Sequence, residues 1–136
     1  MKRYLSRLFA LALVLLISVT GCNSGASGTT GSITGDYRQD TLNIVTSLRE
    51  VLEVAKDNPD KSAIETQVRQ QMKDFAARYQ RDQKISGLSS FTTMRTALNS
   101  LAGHYSSYPN RPVPEKLKTR LEQEFKRVEA ALMRGS

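Results

Sequence analysis

The sequence predicts an all-α protein, an antiparallel up-down-up-down four-helix bundle. Apolar residues recur at three- and four-residue steps in four segments of the last two thirds of the chain. None of these segments alternates apolar and polar residues as a β-strand does. The connections between the segments are short, and short connections place consecutive helices antiparallel. A rearranged four-helix topology is the main alternative.

The first helix is predicted from about Asp40 to Ala55. Asp36 or Asp40 can cap its start, and the Asp-Asn-Pro sequence at 57–59 ends it. The second helix is predicted from about Asp60 to Gln80. The two apolar stripes are Leu42, Val45, Leu48, Leu52 and Ala55 in the first helix, and Ile64, Val68, Met72, Phe75 and Tyr79 in the second.

The third helix is predicted from Ser89 to Ser107. Prolines at 109, 112 and 114 end it and stiffen the connection that follows. The fourth helix opens with Pro114, which suits a first helical turn, and runs to about Met133. The two apolar stripes are Phe91, Met94, Leu98, Leu101 and Tyr105 in the third helix, and Leu117, Leu121, Phe125, Val128 and Leu132 in the fourth.

The first 22 residues show the pattern of an exported bacterial lipoprotein. Three basic residues precede the apolar run 8–19, which is too short to span a bilayer comfortably. The tetrad 19–22, Val-Thr-Gly-Cys, matches a lipobox. We therefore expect residues 1–21 to be a signal peptide and Cys22, the only cysteine, to carry the lipid. An ordinary signal peptide with an incidental cysteine and a retained membrane helix are the alternatives.

The Gly/Ser/Thr-rich residues 22–35 are expected to form a lipidated flexible tether, and residues 36–136 the bundle domain. Three of the 20 basic residues lie in the signal peptide, so the mature chain has 17 basic and 13 acidic residues, a net charge of about +4. This mild basicity suits an acidic protein surface or anionic lipid headgroups and is too weak to indicate nucleic acid. One cysteine cannot form an intrachain disulfide.

The predicted bundle offers few residues for catalysis or metal binding. His104 is the only histidine, which excludes a multi-histidine metal site. The acidic residues are spread singly, and pairs with basic neighbours in the same helix are expected for Glu50, Glu53, Glu122 and Glu124. We therefore expect no catalytic residue, no metal site and no cofactor, and interpret the protein as a non-enzyme.

Residues 104–112, His-Tyr-Ser-Ser-Tyr-Pro-Asn-Arg-Pro, place two tyrosines and an arginine beside a rigid turn. Tyrosine and arginine dominate the hot spots of protein interfaces. Tyr108 and Arg111 are therefore candidates for partner recognition. The structural alternatives are that Tyr108 packs the turn against the bundle, that Tyr105 continues the core stripe, and that His104 is a surface residue near a helix end.

Three segments resemble the photosystem II assembly and repair lipoproteins of cyanobacteria. They are 35–42, GDYRQDTL; 89–108, SSFTTMRTALNSLAGHYSSY; and 111–117, RPVPEKL. The resemblance extends over essentially the whole mature chain and is loosest in the second helix. It implies a monomeric four-helix bundle. A lipid on Cys22 would hold this bundle at the lumenal face of the thylakoid membrane.

The resemblance also implies transient binding to photosystem II intermediates that lack a finished manganese cluster. The implied contact is the large lumenal loop of the PsbC-type antenna protein, and the bound factor would keep extrinsic subunits such as PsbO away until the cluster is assembled. It implies no catalytic residue. The matching segments imply a partner-binding surface, to which we assign Arg95, His104, Tyr105, Tyr108, Asn110 and Arg111.

Two other functions stay open on the residues alone. A general envelope lipoprotein could use the same bundle as a structural module that binds another periplasmic protein. A small metal-handling protein could deliver manganese or calcium, although the scattered acidic residues show no pattern for such a site.

Overall fold

The computed structural model describes residues 33–109 and 111–136. The predicted signal peptide, the lipidation site Cys22, most of the predicted tether and Asn110 lie outside the described residues. The helices in the described part are α1 (Tyr37–Glu53), α2 (Lys61–Tyr79), α3 (Gln83–Ser86), α4 (Ser89–Ser107) and α5 (Glu115–Arg134). Among the described residues, no helix is both long enough and apolar enough to cross a membrane.

The four long helices form the antiparallel bundle that the sequence predicts. Helices α1 and α4 each pack against both α2 and α5, so the four helices close a ring around one core. The apolar stripes fill that core, because each stripe lies on one face of its helix. The large apolar side chains that are completely or almost completely buried include Ile44, Leu48, Phe75, Phe91, Leu101, Leu121 and Phe125.

Helix α1 is shifted toward the N-terminus relative to its predicted bounds. It begins at Tyr37 because Asp36 caps it, the backbone N–H of Gln39 donating to Asp36 Oδ1 at 2.8 Å. Asp40, the other predicted cap, lies within the helix and is 2% exposed. The helix ends at Glu53, so Ala55 lies beyond it and is exposed instead of belonging to the core.

The short helix α3 was not predicted. Its start is capped by Asp82, whose Oδ1 accepts the backbone N–H of Lys84 at 2.9 Å. Ile85 packs against the core from this helix. Four residues are too few to show a helical period, which is why the sequence pattern did not reveal it. The predicted bounds of α4 are confirmed, and α5 begins one residue after Pro114, which acts as its N-cap.

A buried carboxylate holds the residues that precede α1. Asp40 accepts the backbone N–H and the hydroxyl of Thr34 at 2.9 and 2.7 Å, the N–H of Gly35 at 3.0 Å and the hydroxyl of Tyr79 from α2. Burial raises the pKa of Asp40, but these hydrogen bonds, that from Tyr79 foremost, outweigh burial and hold the pKa below its usual value. Ile33 packs against the core as well. Ordered contacts therefore begin three residues before the expected start of the bundle domain.

Helices α1 and α5 are joined by a guanidinium between two carboxylates. Arg49 donates to both oxygens of Glu122 at 3.0 Å and to the two oxygens of Glu129 at 2.6 and 3.1 Å. The guanidinium also lies over the ring of Phe125, 5.8 Å from its centroid. The expectation that Glu122 pairs within its own helix is wrong, because Arg49 reaches it from α1. The expected pairing of Glu124 is confirmed, with Arg120 four residues earlier.

Candidate partner-binding surface

The residues predicted to bind a partner lie in different parts of the molecule. Arg95 and His104 are nine residues apart on α4, which is about two and a half helical turns. The two side chains therefore leave α4 on opposite sides. Tyr105 lies in the core, and Asn110 is outside the described residues.

Three of the predicted residues meet where α4 ends, and we call His104, Tyr108 and Arg111 the turn cluster. The rings of His104 and Tyr108 lie 5.7 Å apart, and the guanidinium of Arg111 lies 5.4 Å from the centroid of the Tyr108 ring. His104 Nε2 is 3.2 Å from the backbone oxygen of Arg111, which ties the turn to α4. Tyr108 is 49% exposed and Arg111 is exposed, so both side chains are accessible to a partner.

Tyr105 belongs to the core cluster and is 4% exposed. The guanidinium of Arg69 from α2 lies over its ring at 4.6 Å from the centroid. Burial raises the pKa of the Tyr105 hydroxyl to about 12. These observations favour the core alternative for Tyr105, in which the side chain supports the surface above it.

Arg95 lies beside an open furrow between α2 and α4, which we call the α2/α4 groove. It consists of two adjoining cavities of about 320 and 220 Å³, both lined by Ala76, Leu98 and Asn99. Lys73 lines the first cavity and Arg95 the second. The pattern of the sequence did not predict this groove. The small side chains at 76 and 102 were its only signal, and that signal has no meaning until the two helices are known to pack together.

The turn cluster and the groove are suited to recognition. In the described part of the chain, no three His, Cys, Asp or Glu residues come close enough together to hold a metal ion. The contacts of the His104 ring are with Tyr105, Tyr108 and the backbone oxygen of Arg111. An exposed aromatic ring with a guanidinium over it, and an apolar furrow with basic residues beside it, are both features of protein-binding surfaces.

Comparison with known proteins identifies the family. The model of the family described as Photosystem II Pbs27 matches residues 3–132, nearly the whole chain. This chain belongs to that family. The resemblance carried by segments 35–42, 89–108 and 111–117 is thereby confirmed.

Relatives within the Psb27 family are similar over almost their full length. The photosystem II assembly factor lipoprotein Psb27 of Thermosynechococcus vestitus is 52% identical over 134 residues, which is 98% of this chain and 97% of the relative. The photosystem II lipoprotein Psb27 of Synechocystis sp. is 49% identical over 135 residues, 99% of this chain and 97% of the relative. The solution structure of Psb27 from cyanobacterial photosystem II superposes with a TM-score of 0.72 at 47% identity, covering 85% of this chain and 98% of that one.

Proposed function

We propose that this protein is a photosystem II assembly and repair factor that works by binding and not by catalysis. The observation that carries this proposal is the 52% identity, over 98% of the chain, with a relative named as a photosystem II assembly factor lipoprotein. The described residues add a closed bundle whose accessible features, the turn cluster and the α2/α4 groove, are suited to protein contacts.

The proposed partner is a photosystem II intermediate without a finished manganese cluster, bound on its lumenal side through the large loop of the PsbC-type antenna protein. The mechanism is occupancy: the bound bundle excludes extrinsic subunits until the cluster is assembled. The exposed side chains of Tyr108 and Arg111 are the proposed contacts at the end of α4, and the exposed Arg95 is a contact on its other side.

A lipid on Cys22 is proposed to hold the monomeric protein at the lumenal face of the thylakoid membrane. Anchoring confines the bundle to a thin layer near its partner, which raises its effective concentration there without any new contact. One acyl chain gives only marginal membrane binding, so the proposed anchor on Cys22 has more than one chain.

Capture of the native protein tests this function. The full-length chain, tagged at its C-terminus, is purified from detergent-solubilised thylakoid membranes of the source organism, and the accompanying subunits are quantified by mass spectrometry. We expect complexes that contain the PsbC-type protein and lack the extrinsic subunits. Capture only with complete, oxygen-evolving photosystem II would contradict occupancy, and capture only with proteins of other envelope membranes would support the general envelope lipoprotein instead.

A further inference from the structure

We propose that the α2/α4 groove binds an acidic segment of the protein partner, with an apolar side chain of that segment inserted between the two helices. This inference rests on the proposed function and adds to it a second contact surface and the chemistry of its occupant. It is separate from the turn cluster, because Arg95 and His104 lie on opposite sides of α4.

The groove owes its depth to small side chains. Ala76 on α2 and Ala102 on α4 stand where longer side chains would close the space between the helices. Below them the floor is apolar, since Met72 and Leu98 are each 5% exposed. The groove runs along α4 from Arg95 to Ser106, twelve residues that span about 16 Å of helix. It is long enough for several residues of a bound chain.

Its rim is cationic and lacks carboxylates. Lys73 and Arg95 are exposed, and neither forms an ion pair within the described residues. Arg69 reaches a carboxylate only at 4.0 Å, on Glu65, and its Nε has no hydrogen-bond partner in the described part of the chain. No acidic residue lines either cavity. The groove therefore presents unneutralised positive charge above an apolar floor.

The cavity between α1 and α5 differs from this groove in the charges that line it. That cavity is larger, about 590 Å³, but Glu122 lies in it together with Lys118 and Lys126. Arg49, which also lines it, is already bound to two carboxylates. Its charges are mixed and partly satisfied, so it favours no charged partner of either sign.

An acidic protein segment fits both features of the α2/α4 groove. Carboxylates of the segment would pair with Lys73 and Arg95, and an apolar side chain between them would cover Leu98 and Ala102. Anchoring by one inserted side chain inside a polar rim is the usual arrangement of a protein-binding hot spot. Complementary charge at the rim would speed association and select against basic partners.

Binding of full-length variants to photosystem II intermediates, isolated from a strain that lacks this protein, tests the groove. The first variant combines Lys73→Glu with Arg95→Glu, and the second, Ala102→Trp, fills the groove without a change of charge. The matched control combines Lys126→Glu with Arg127→Glu, which makes the same charge change on exposed residues of α5. Circular dichroism melts establish that each variant is folded.

We expect each groove variant to bind at least about ten-fold more weakly than the wild type, and the control to stay within about two-fold. If the wild type binds and both groove variants bind equally well, the groove assignment is overturned while the proposed function still stands. Equal losses of binding in the groove and control variants would mean that net charge alone causes the effect. That result would also overturn the groove assignment. Failure of the wild type itself to bind would contradict the proposed function.

An anionic lipid surface is the competing occupant, and a second measurement addresses it. The same variants are mixed with vesicles that contain an anionic lipid and with vesicles that contain only neutral lipids. We expect the ratio of binding to anionic vesicles over binding to neutral vesicles to be the same for wild type, groove variants and control. A loss of anionic-vesicle binding confined to the groove variants, with binding to the intermediates intact, would assign the groove to lipid headgroups and overturn the proposal.

Discussion

Asp40 collects hydrogen bonds from the segment before α1 and from Tyr79 on α2, and it is buried while it does so. A buried carboxylate is costly unless its oxygens are satisfied, and here both oxygens are. The residue therefore fixes the place where the chain enters the bundle. The sequence indicated Asp40 only as a possible helix cap, whereas in the structure it links the segment before α1 to α2.

Replacement of Asp40 by Asn should lower the free energy of unfolding by about 1–3 kcal/mol, because the amide brings two N–H donors to a site where the partners are themselves donors. Urea denaturation of the folded protein measures this. Asp36→Asn is the matched control: Asp36 is an exposed N-cap, and Asn caps a helix as well as Asp does. Equal losses in the two variants would contradict the role of the buried carboxylate.

The contribution of Asp40 should also depend on pH. Its folded pKa lies below the ordinary value of 3.8, so its stabilisation is complete above that value and is lost as the pH falls through the lowered folded pKa. The difference in unfolding free energy between wild type and Asp40→Asn should therefore be constant near neutral pH and shrink in acid below 3.8. Denaturation series at several pH values measure this difference. A difference that grows in acid would contradict the assignment.

The turn cluster should affect binding without affecting stability. Tyr108→Ala or Arg111→Ala should weaken association with photosystem II intermediates while helicity and melting stay nearly unchanged, because both side chains are exposed. Circular dichroism and the capture assay measure the two effects side by side. A large loss of stability with intact binding would show that these residues serve the core.

Between elements, the contact of Arg49 with Glu122 and Glu129 is the main polar link from α1 to α5 in the described part of the chain. Each carboxylate accepts two N–H donors from the guanidinium. Such two-point pairs are stronger than a surface ion pair with a single hydrogen bond. The hydrogen bonds from Arg49 also lower the pKa of Glu129. The side chains of Arg49 and Glu122 are 35% and 41% exposed, so solvent reaches the pair. Solvent screening limits what the pair contributes to the free energy of unfolding.

A double-mutant cycle with Arg49→Ala and Glu122→Ala should give a coupling energy of about 0.5–1 kcal/mol, with screening by solvent already considered. Salt at about 1 M should reduce the coupling, because the pair is partly exposed. Thermal or urea unfolding of the four proteins of the cycle measures it. Additive losses at low salt would mean that the Arg49–Glu122 pair adds nothing to the link between the two helices.

Helix positions were predictable because each long helix carries its own signal within about twenty residues. The apolar stripe of α4, with a proline soon after its end, predicted both of its bounds. Four-residue α3 carries no such period, and α1 began early because Asp36 rather than Asp40 caps it.

Contacts between helices were not predictable in the same way. Asp40 and Tyr79 are 39 residues apart, and Arg49 and Glu122 are 73 apart, so nothing local in the sequence pairs them. The separation of Arg95 from His104 was predictable, because two residues that are nine positions apart on a helix lie on opposite sides of it. The groove could not, since it depends on which helix packs beside α4.

As a whole, the molecule is a ring of four helices with two candidate recognition surfaces, the α2/α4 groove on one side of α4 and the turn cluster at its C-terminal end. The described residues hold a closed core, with polar links at Asp40 and Arg49. In the proposed account, a lipid on Cys22 keeps this bundle at the membrane, and the bundle acts on photosystem II by occupying a site. The sequence alone predicted the fold and the family, and the structure adds the faces that a partner can contact.

A lysine cross-link map of the native complex is the sharpest test of the proposed binding to photosystem II, because it reports the partner and the contacting face together. Lys73 beside the groove and Lys126 on α5 are both exposed, so each can react. We expect links from Lys73 to an acidic lumenal segment of a photosystem II subunit, and none to that segment from Lys126. Links from Lys126 alone, or links only to proteins outside photosystem II, would contradict it.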